Sequence, residues 1–338
     1  MKTLNKYFVF SDVHGEYGAL LQGLEKAGYD KNDPTHKLVS LGDAFDRGPD
    51  SRKIYEYLTN RNAIMVKGNH DVMFQEYLEK GMDGEFVLFN ILHNGLGATI
   101  QSFGRMPNDV FSVKAYDEAR RNFNYSSVLR TIQNMPIFYE TSSFVFVHAG
   151  IDPRRQNWKE TDDNFALWDI DYSHEAVPNA NKIVVIGHHH ASKVRENGKA
   201  AGYGDYDLKT ASYTINHFDE HGNKPTARFR YYGNEDENRP YVNNNKIAID
   251  GMTNLTGKVN ILVVEDYPLD DPNVKSESEP QPEPQLDDSI SVAAWPDIQS
   301  IGINMADFAR ATQDMAWTYT TTTAGYTDYI PVGERPTI

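Results

Sequence analysis

Five short apolar runs in this chain each lead into a side chain able to hold a metal ion, and this limits the fold more than any other feature. Tyr7–Phe10 runs into Ser11-Asp12-Val13-His14-Gly15, and Lys37–Leu41 into Gly42-Asp43-Ala44-Phe45-Asp46-Arg47-Gly48. Ala63–Val66 is followed by Lys67-Gly68-Asn69-His70-Asp71. Phe144–Val147 stops at His148-Ala149-Gly150, and Ile183–Ile186 at Gly187-His188-His189-His190. Short apolar, β-branched runs of this kind read as strands, and Ile247–Ile249 and Val259–Val264 add two more. Helical spacing appears between the early runs. Tyr17–Ala27 places Leu20, Leu21, Leu24 and Ala27 on one face, and Ser51–Leu58 and Val72–Glu79 look similar. Strand–helix–strand alternation predicts right-handed crossovers and a layered α/β fold, whose ligands bind at the C-terminal strand ends.

The residue types at those ends suit a metal site. On extended backbone, Asp12 and His14 are spaced i, i+2 and point to one side, so they can share an ion. The two oxygens of Asp43 can bridge a pair of ions, while Asn69, His148 and His188 offer neutral ligands. The chain has no cysteine, which excludes disulfides, thiolate zinc, iron–sulfur clusters and a thiol nucleophile. A mixed nitrogen and oxygen set points to manganese, iron or zinc rather than calcium. Two such ions close together clamp the attacking and leaving oxygens of a phosphoryl displacement. Each motif alone carries little weight; their order, each after a strand, carries the argument.

The formal net charge of −15 argues against a nucleic-acid or polybasic membrane partner. Much of it is local. Residues 265–288 hold nine acids and one lysine among prolines, and read as an extended linker. This divides the chain into a body (1–264), the linker and a tail (289–338). The tail places Met305, Phe308, Ala309, Thr312, Met315 and Ala316 at helical spacing within 304–319, a helix expected to dock on its own body or on a protein partner, with disorder the remaining alternative. Residues 195–245 differ from the rest of the body. Alternation in Ser212–Phe218 and Ala227–Tyr232 around His221-Gly222-Asn223 predicts a β-hairpin. No apolar run of about 18 residues exists to cross a membrane. The start lacks a signal-peptide pattern, so a soluble, cytoplasmic protein is expected.

Asp12-x-His14, Gly42-Asp43-x-x-Asp46-Arg47-Gly48, Gly68-Asn69-His70-Asp71, His148-Ala149-Gly150 and Gly187-His188 together resemble the calcineurin-like metallophosphoesterases. Their Asp-Arg-Gly and Gly-Asn-His-Asp forms resemble the PPP serine/threonine phosphatases, nearest the compact bacterial and lambda-phage type. Asn94-Gly95-Leu96-Gly97-Ala98-Thr99 is similar to the N-G-G-x-A-T segment of that branch, and 247–264 to its closing strand pair. The likeness covers roughly 5–194 and 246–265. It implies an α/β sandwich of two packed mixed β-sheets flanked by helices, with a dinuclear site at the strand ends. Asp12 and His14 would bind one metal, Asn69, His148 and His188 the other, and Asp43 would bridge. The resemblance further implies a hydroxide held between two divalent ions, with manganese the first choice and iron or zinc the alternatives. His70 would be the general acid and Asp46 its orienting partner. Arg47, with Asn69 and Lys67, would contact the substrate phosphate. The function implied is a metal-dependent phosphoric monoester hydrolase acting on a phosphorylated protein or small molecule, as a serine/threonine-type protein phosphatase.

Four departures from the family pattern carry expectations of their own. Lys67 stands where many relatives have Arg, losing the bidentate fork. No Arg follows Trp168, so Arg154 or Arg155 is the expected substitute. Asp71 replaces the usual Glu; that form is also seen in diadenosine tetraphosphate hydrolases, which makes dinucleoside polyphosphate hydrolysis the alternative function. His190 makes a G-H-x-H, and is either an extra ligand facing the same way as His188 or a surface residue; His189 is expected to point away. Trp158 and Trp168 are read as packing residues. A third reading, a non-catalytic phosphatase-like binding module, draws on the linker and tail, and the intact ligand set stands against it.

Overall fold

The computed structural model describes residues 3–104, 112–202, 211–214, 226–243 and 245–269. Residues 270–338 lie outside the described residues, and with them the expectations for the tail helix. The described strands are β1 (Asn5–Phe10), β2 (His36–Ser40), β3 (Ile64–Met65), β4 (Phe138–Glu140), β5 (Phe144–Val147), β6 (Ile183–Ile186), β7 (Ala211–Thr214), β8 (Thr226–Tyr232), β9 (Tyr241–Asn243), β10 (Lys246–Ala248) and β11 (Ile261–Asp266). The α-helices are α1 (Tyr17–Ala27), α2 (Ser51–Thr59), α3 (Asn69–Lys80), α4 (Val87–Phe89), α5 (Leu96–Gly104), α6 (Val113–Arg121), α7 (Tyr125–Gln133), α8 (Asp163–Trp168), α9 (Ala191–Ala200) and α10 (Thr253–Thr256).

Strand alternation explains the layering. In β1, Phe8 and Phe10 join a core with Leu20 and Leu24 of α1, Ile54 of α2 and Phe74 of α3. Tyr7 and Val9 face the other way, into a core shared with Phe144 and Phe146 of β5 and Ile183 and Val185 of β6. Val145, Val147, Val184 and Ile186 face a third core with Trp158, Ala166 and Val194. Strands covered on both faces must be apolar at every position, which is why these runs read as continuous rather than alternating. One sheet has the order β3-β2-β1-β11-β8-β7 and the other β4-β5-β6-β10-β9. β1, β2 and β3 are mutually parallel, as are β5, β6 and β10. Both sheets are therefore mixed, sandwiched between helices.

Several boundaries differ from the sequence reading. β11 runs on to Asp266, past the boundary at 264, because Asp266 is buried and accepts hydrogen bonds from the Thr141 hydroxyl (2.7 Å) and the Ser143 amide (2.7 Å). β7 pairs antiparallel with β8, with 215–225 outside the described residues. Residues 195–200, taken with that hairpin, instead finish α9. α3 begins at Asn69, three residues earlier than its apolar spacing, since Asp71 reaches back to accept the Gly68 amide (2.7 Å) and caps the first turn.

Candidate dinuclear metal centre

The expected ligands follow β1, β2 and β3, parallel in one sheet, and β5 and β6, parallel in the other. The chain turns sharply at these ends, and Asp12, His14, Asp43 and His188 all have positive φ, from 46° to 59°. The expectation that Asp12 and His14 meet on extended backbone is thus corrected. β1 stops at Phe10, and left-handed turns bring His14 Nε2 within 4.0 Å of Asp12 Oδ1 and 3.8 Å of Asp43 Oδ2. Such conformations cost about 1–3 kcal/mol each and cluster at functional sites. Gly42, at φ +95°, packs against Gly68, where an added Cβ would lie 2.5 Å from the Gly68 Cα.

Hydrogen bonds fix which ring atoms face the centre. His14 Nδ1 donates to the Phe45 carbonyl (2.8 Å) and His148 Nδ1 to the Leu41 carbonyl (2.7 Å). Burial pushes both imidazoles below their ordinary range; for His14 the neighbouring Arg47 adds to it. Burial and the adjacent His148 do the same to His188. Neutral rings with a proton on Nδ1 present a lone pair at Nε2. With Asp43 ionised, His148 Nε2 meets two more acceptors, Asn69 Oδ1 at 2.8 Å and Asp43 Oδ1 at 3.4 Å. Lone pairs converging in a buried space call for a cation between them. Ligand atoms of Asp43, His148 and His188 lie within 4.8 Å of one another, as do those of His14, Asp43 and His70. Asp43 belongs to both groups. Burial, then Asp12 and Asp71, push its carboxyl well above the usual range. A dication relieves that crowding, so these residues fit a two-metal site.

Around the ligands stand the remaining expected residues. Asp12 Oδ2 accepts the His188 amide (2.9 Å) and the Ser11 hydroxyl. The His70 amide donates to Asp43 Oδ1 (3.0 Å), and its Nδ1 lies 2.7 Å from Asp46 Oδ2. Its Nε2 faces Asp43 Oδ2 at 3.9 Å and a terminal nitrogen of Arg47 at 3.4 Å. Burial pushes Asp46 up to about 8, against the Thr99 hydrogen bond and the Arg47 charge. Asp71 accepts both the Gly68 amide (2.7 Å) and the Asp43 amide (3.3 Å), tying the third strand end to the second.

The other candidates make contacts of their own. The Lys67 ammonium contacts Gln75 Oε1 at 3.5 Å. Arg154 forks onto Asp152 through two bonds of 2.7 and 3.0 Å, and Arg155 approaches the same carboxylate at 3.4 Å. His190 is not among the clustered ligand groups found in the described residues, and Nε2 lies 3.8 Å from Asp250 Oδ2. The extended His188-to-His190 stretch is corrected too: His188 is left-handed and His190 caps α9. His189 Nδ1 pairs with the Ser173 hydroxyl at 2.7 Å. Trp158 is buried against Phe138, as read, but Trp168 is 39% exposed and meets the His188 ring edge to face at 6.3 Å. Sequence reasoning missed the contact of the Thr99 hydroxyl with Asp46 Oδ1 (2.9 Å), although Thr99 lay in the Asn94–Thr99 segment.

Among the described residues no helix is long and apolar enough to cross a membrane. A model of the family described as calcineurin-like phosphoesterase matches residues 6–249. Serine/threonine-protein phosphatase 2 of Escherichia coli (strain K12) is 39% identical over 81 residues, 24% of this chain and 36% of that protein. The protein of that name from Salmonella typhimurium is 30% identical over 169 residues, 48% of this chain and 67% of the relative. A symmetrical bis(5'-nucleosyl)-tetraphosphatase of Buchnera aphidicola subsp. Baizongia pistaciae is 37% identical over 71 residues, 20% of this chain and 24% of the relative. The chain thus spans well under half the length of the Escherichia and Buchnera relatives.

Proposed function

The chain belongs to the calcineurin-like phosphoesterase family, and from that premise we propose that it hydrolyses phosphoric monoesters with two divalent ions, as a serine/threonine-type protein phosphatase. The observation that carries this reading is the buried Asp46–His70 pair, whose second ring nitrogen, Nε2, stands 3.9 Å from Asp43 and 3.4 Å from Arg47. Asp12 and His14 would hold one ion, Asn69, His148 and His188 the other, and Asp43 both. Bound there, the ions supply Lewis acidity toward phosphoryl oxygens and lower the pKa of water. Manganese is the first choice, since the donors are nitrogen and oxygen only, with iron or zinc the alternatives.

The protein's own groups do the rest. Asp46 holds the proton on His70 Nδ1, so Nε2 is the atom that passes a proton to the departing oxygen. Arg47 brings a charged fork to the same side of the ring, where phosphate oxygens would lie. A second reading, dinucleoside polyphosphate hydrolysis, is favoured by Trp168. Its exposed indole beside His188 offers a surface on which a base can stack. The Buchnera relative's name supports the same reading.

The manganese-loaded chain, assayed side by side on p-nitrophenyl phosphate, a phosphothreonine peptide and diadenosine tetraphosphate, tests both. Metal-dependent turnover of both monoesters, with the dinucleotide slower, is the expected result. A faster dinucleotide reaction moves the assignment to the second reading. No manganese-stimulated turnover of any monoester sinks the first.

A further inference from the structure

Thr99 lies on α5, 53 residues from Asp46 in sequence, yet its hydroxyl is fully buried against Asp46. Three contacts converge on that single oxygen. The Asp46 amide approaches Thr99 Oγ1 at 2.6 Å, Asp46 Oδ1 lies at 2.9 Å, and the Ser51 hydroxyl at 3.0 Å. A hydroxyl has one proton and two lone pairs. An amide N–H can only donate and an ionised carboxylate can only accept, so with Asp46 ionised the Thr99 proton goes to Asp46 Oδ1. The Ser51 hydroxyl must then donate to the remaining lone pair. Every bond direction is fixed, and Asp46 is gripped at its backbone and its side chain by one atom.

The grip matters because of the backbone it holds. Asp46 and Arg47 are consecutive left-handed residues, at φ 71° and 65°, a conformation that persists only where its surroundings over-determine it. The same segment holds the second of them: the Arg47 amide donates to the Gly95 carbonyl at 3.2 Å. Gly95 is itself at φ +84°, and an added Cβ would meet the Arg47 amide. With Oδ1 taken by Thr99, Oδ2 is the oxygen left for His70 Nδ1, at 2.7 Å.

We infer that Thr99 is a positioning residue for proton donation: by clamping the Asp46 amide and Oδ1, its hydroxyl sets Oδ2 against His70 and so aims Nε2 at the leaving oxygen. This rests on the hydrolase reading above for its consequence, but not for its geometry. Two measurements on the full chain therefore test it separately. The first compares turnover of the manganese-loaded Thr99→Val, Thr99→Ser and unaltered proteins on an alkyl and an aryl phosphate. An alkoxide needs a proton as it leaves, whereas p-nitrophenolate does not. Thr99→Val should lose about 10–100-fold in kcat on a phosphoserine peptide and only a few-fold on p-nitrophenyl phosphate. Thr99→Ser, which keeps the hydroxyl, should stay near the unaltered rates on both. The second follows the low-field Nδ1 proton of His70 by NMR in the metal-free protein, assigned by its loss in His70→Asn. That signal should persist in Thr99→Ser and shift or broaden away in Thr99→Val. Should the valine variant fail to fold, Thr99→Ala carries the same expectations. Equal losses on both esters, or an unmoved His70 signal in the variant lacking the hydroxyl, overturn the inference. If the unaltered protein turns over neither ester, the hydrolase reading fails and the NMR signal alone decides the role of Thr99.

Discussion

Asp46 and His70 are paired in the buried heart of the site, Oδ2 2.7 Å from Nδ1, although 24 residues separate them. The carboxylate comes from the turn after β2 and the imidazole from the first turn of α3. The parallel pairing of β2 and β3 sets the two side by side. His70 is thus held by one nitrogen and offered by the other.

Replacing His70 with Asn should lower kcat on an alkyl phosphate by about 10²–10⁴-fold, with two metals still bound per chain. The Asn side chain keeps a polar group near Asp46, and the backbone amide that donates to Asp43 is untouched. Metal content by elemental analysis beside the kinetics checks this. A parallel loss of metal would make His70 a ligand rather than a proton donor.

The metal-free protein should lose stability as pH rises from about 6.5 to 8. Burial raises Asp46 to about 8 and Asp71 to about 7, from an ordinary 3.8. Over this window the folded state binds more protons than the unfolded one, so unfolding free energy falls with pH. His14, His148 and His188 work in the opposite direction, being lowered by burial from 6.5. Their contribution rises with pH only up to that value and then levels. Asp46 alone should remove roughly 2 kcal/mol across the window, about 1.4 per pH unit. Thermal melts with a chelator measure the slope, and added manganese should flatten it, because ligands bind metal in their deprotonated form. A flat chelated profile would contradict the assignment.

The candidate metal-binding side chains were legible in the sequence because each follows a short apolar run that becomes a strand and announces its own end. β5 and β6 keep the expected limits, and α1 spans the predicted Tyr17–Ala27. The backbone at those ends was not legible. Asp12, His14 and His188 carry no glycine signal for their positive φ, which tertiary contacts impose. Nor could spacing show that Thr99 reaches Asp46 across 53 residues, or that Asp152 occupies the Arg154 fork. Trp168, read as core or rim packing, stands at the end of α8 with its ring against His188 and 39% exposed.

Asp43→Asn should stabilise the metal-free fold while weakening metal binding. Asp43 is a buried carboxylate crowded by Asp12 and Asp71. An amide keeps an oxygen for the His70 amide and removes the charge, so the chelated protein should gain about 1–3 kcal/mol. The same change removes the one group shared by both ligand clusters. Titration calorimetry with manganese should then show fewer than two sites, and the melting temperature should no longer respond to the metal. A variant less stable than the parent under chelation would show that Asp43 is not under repulsive strain.

Gly68→Ala should cost metal affinity rather than backbone strain. Gly68 lies at φ −107°, where any residue is at ease. The space is what forbids a side chain: an added Cβ would fall on Asp43 Oδ1 and lie 2.6 Å from the Asp43 amide nitrogen. Both neighbours belong to the shared ligand, so the collision can be relieved only by moving it or by shifting the start of α3. Displacing a ligand through such a contact should weaken metal binding by about 10–100-fold. The fold itself should survive, since Asp71 still caps α3. The checks are a manganese titration followed by turnover, and a far-UV spectrum to confirm the helices. Turnover should return at high manganese, because the donors remain and only their spacing has changed. Wild-type affinity in the alanine variant would mean that the placement of Asp43 does not depend on the close approach of Gly68.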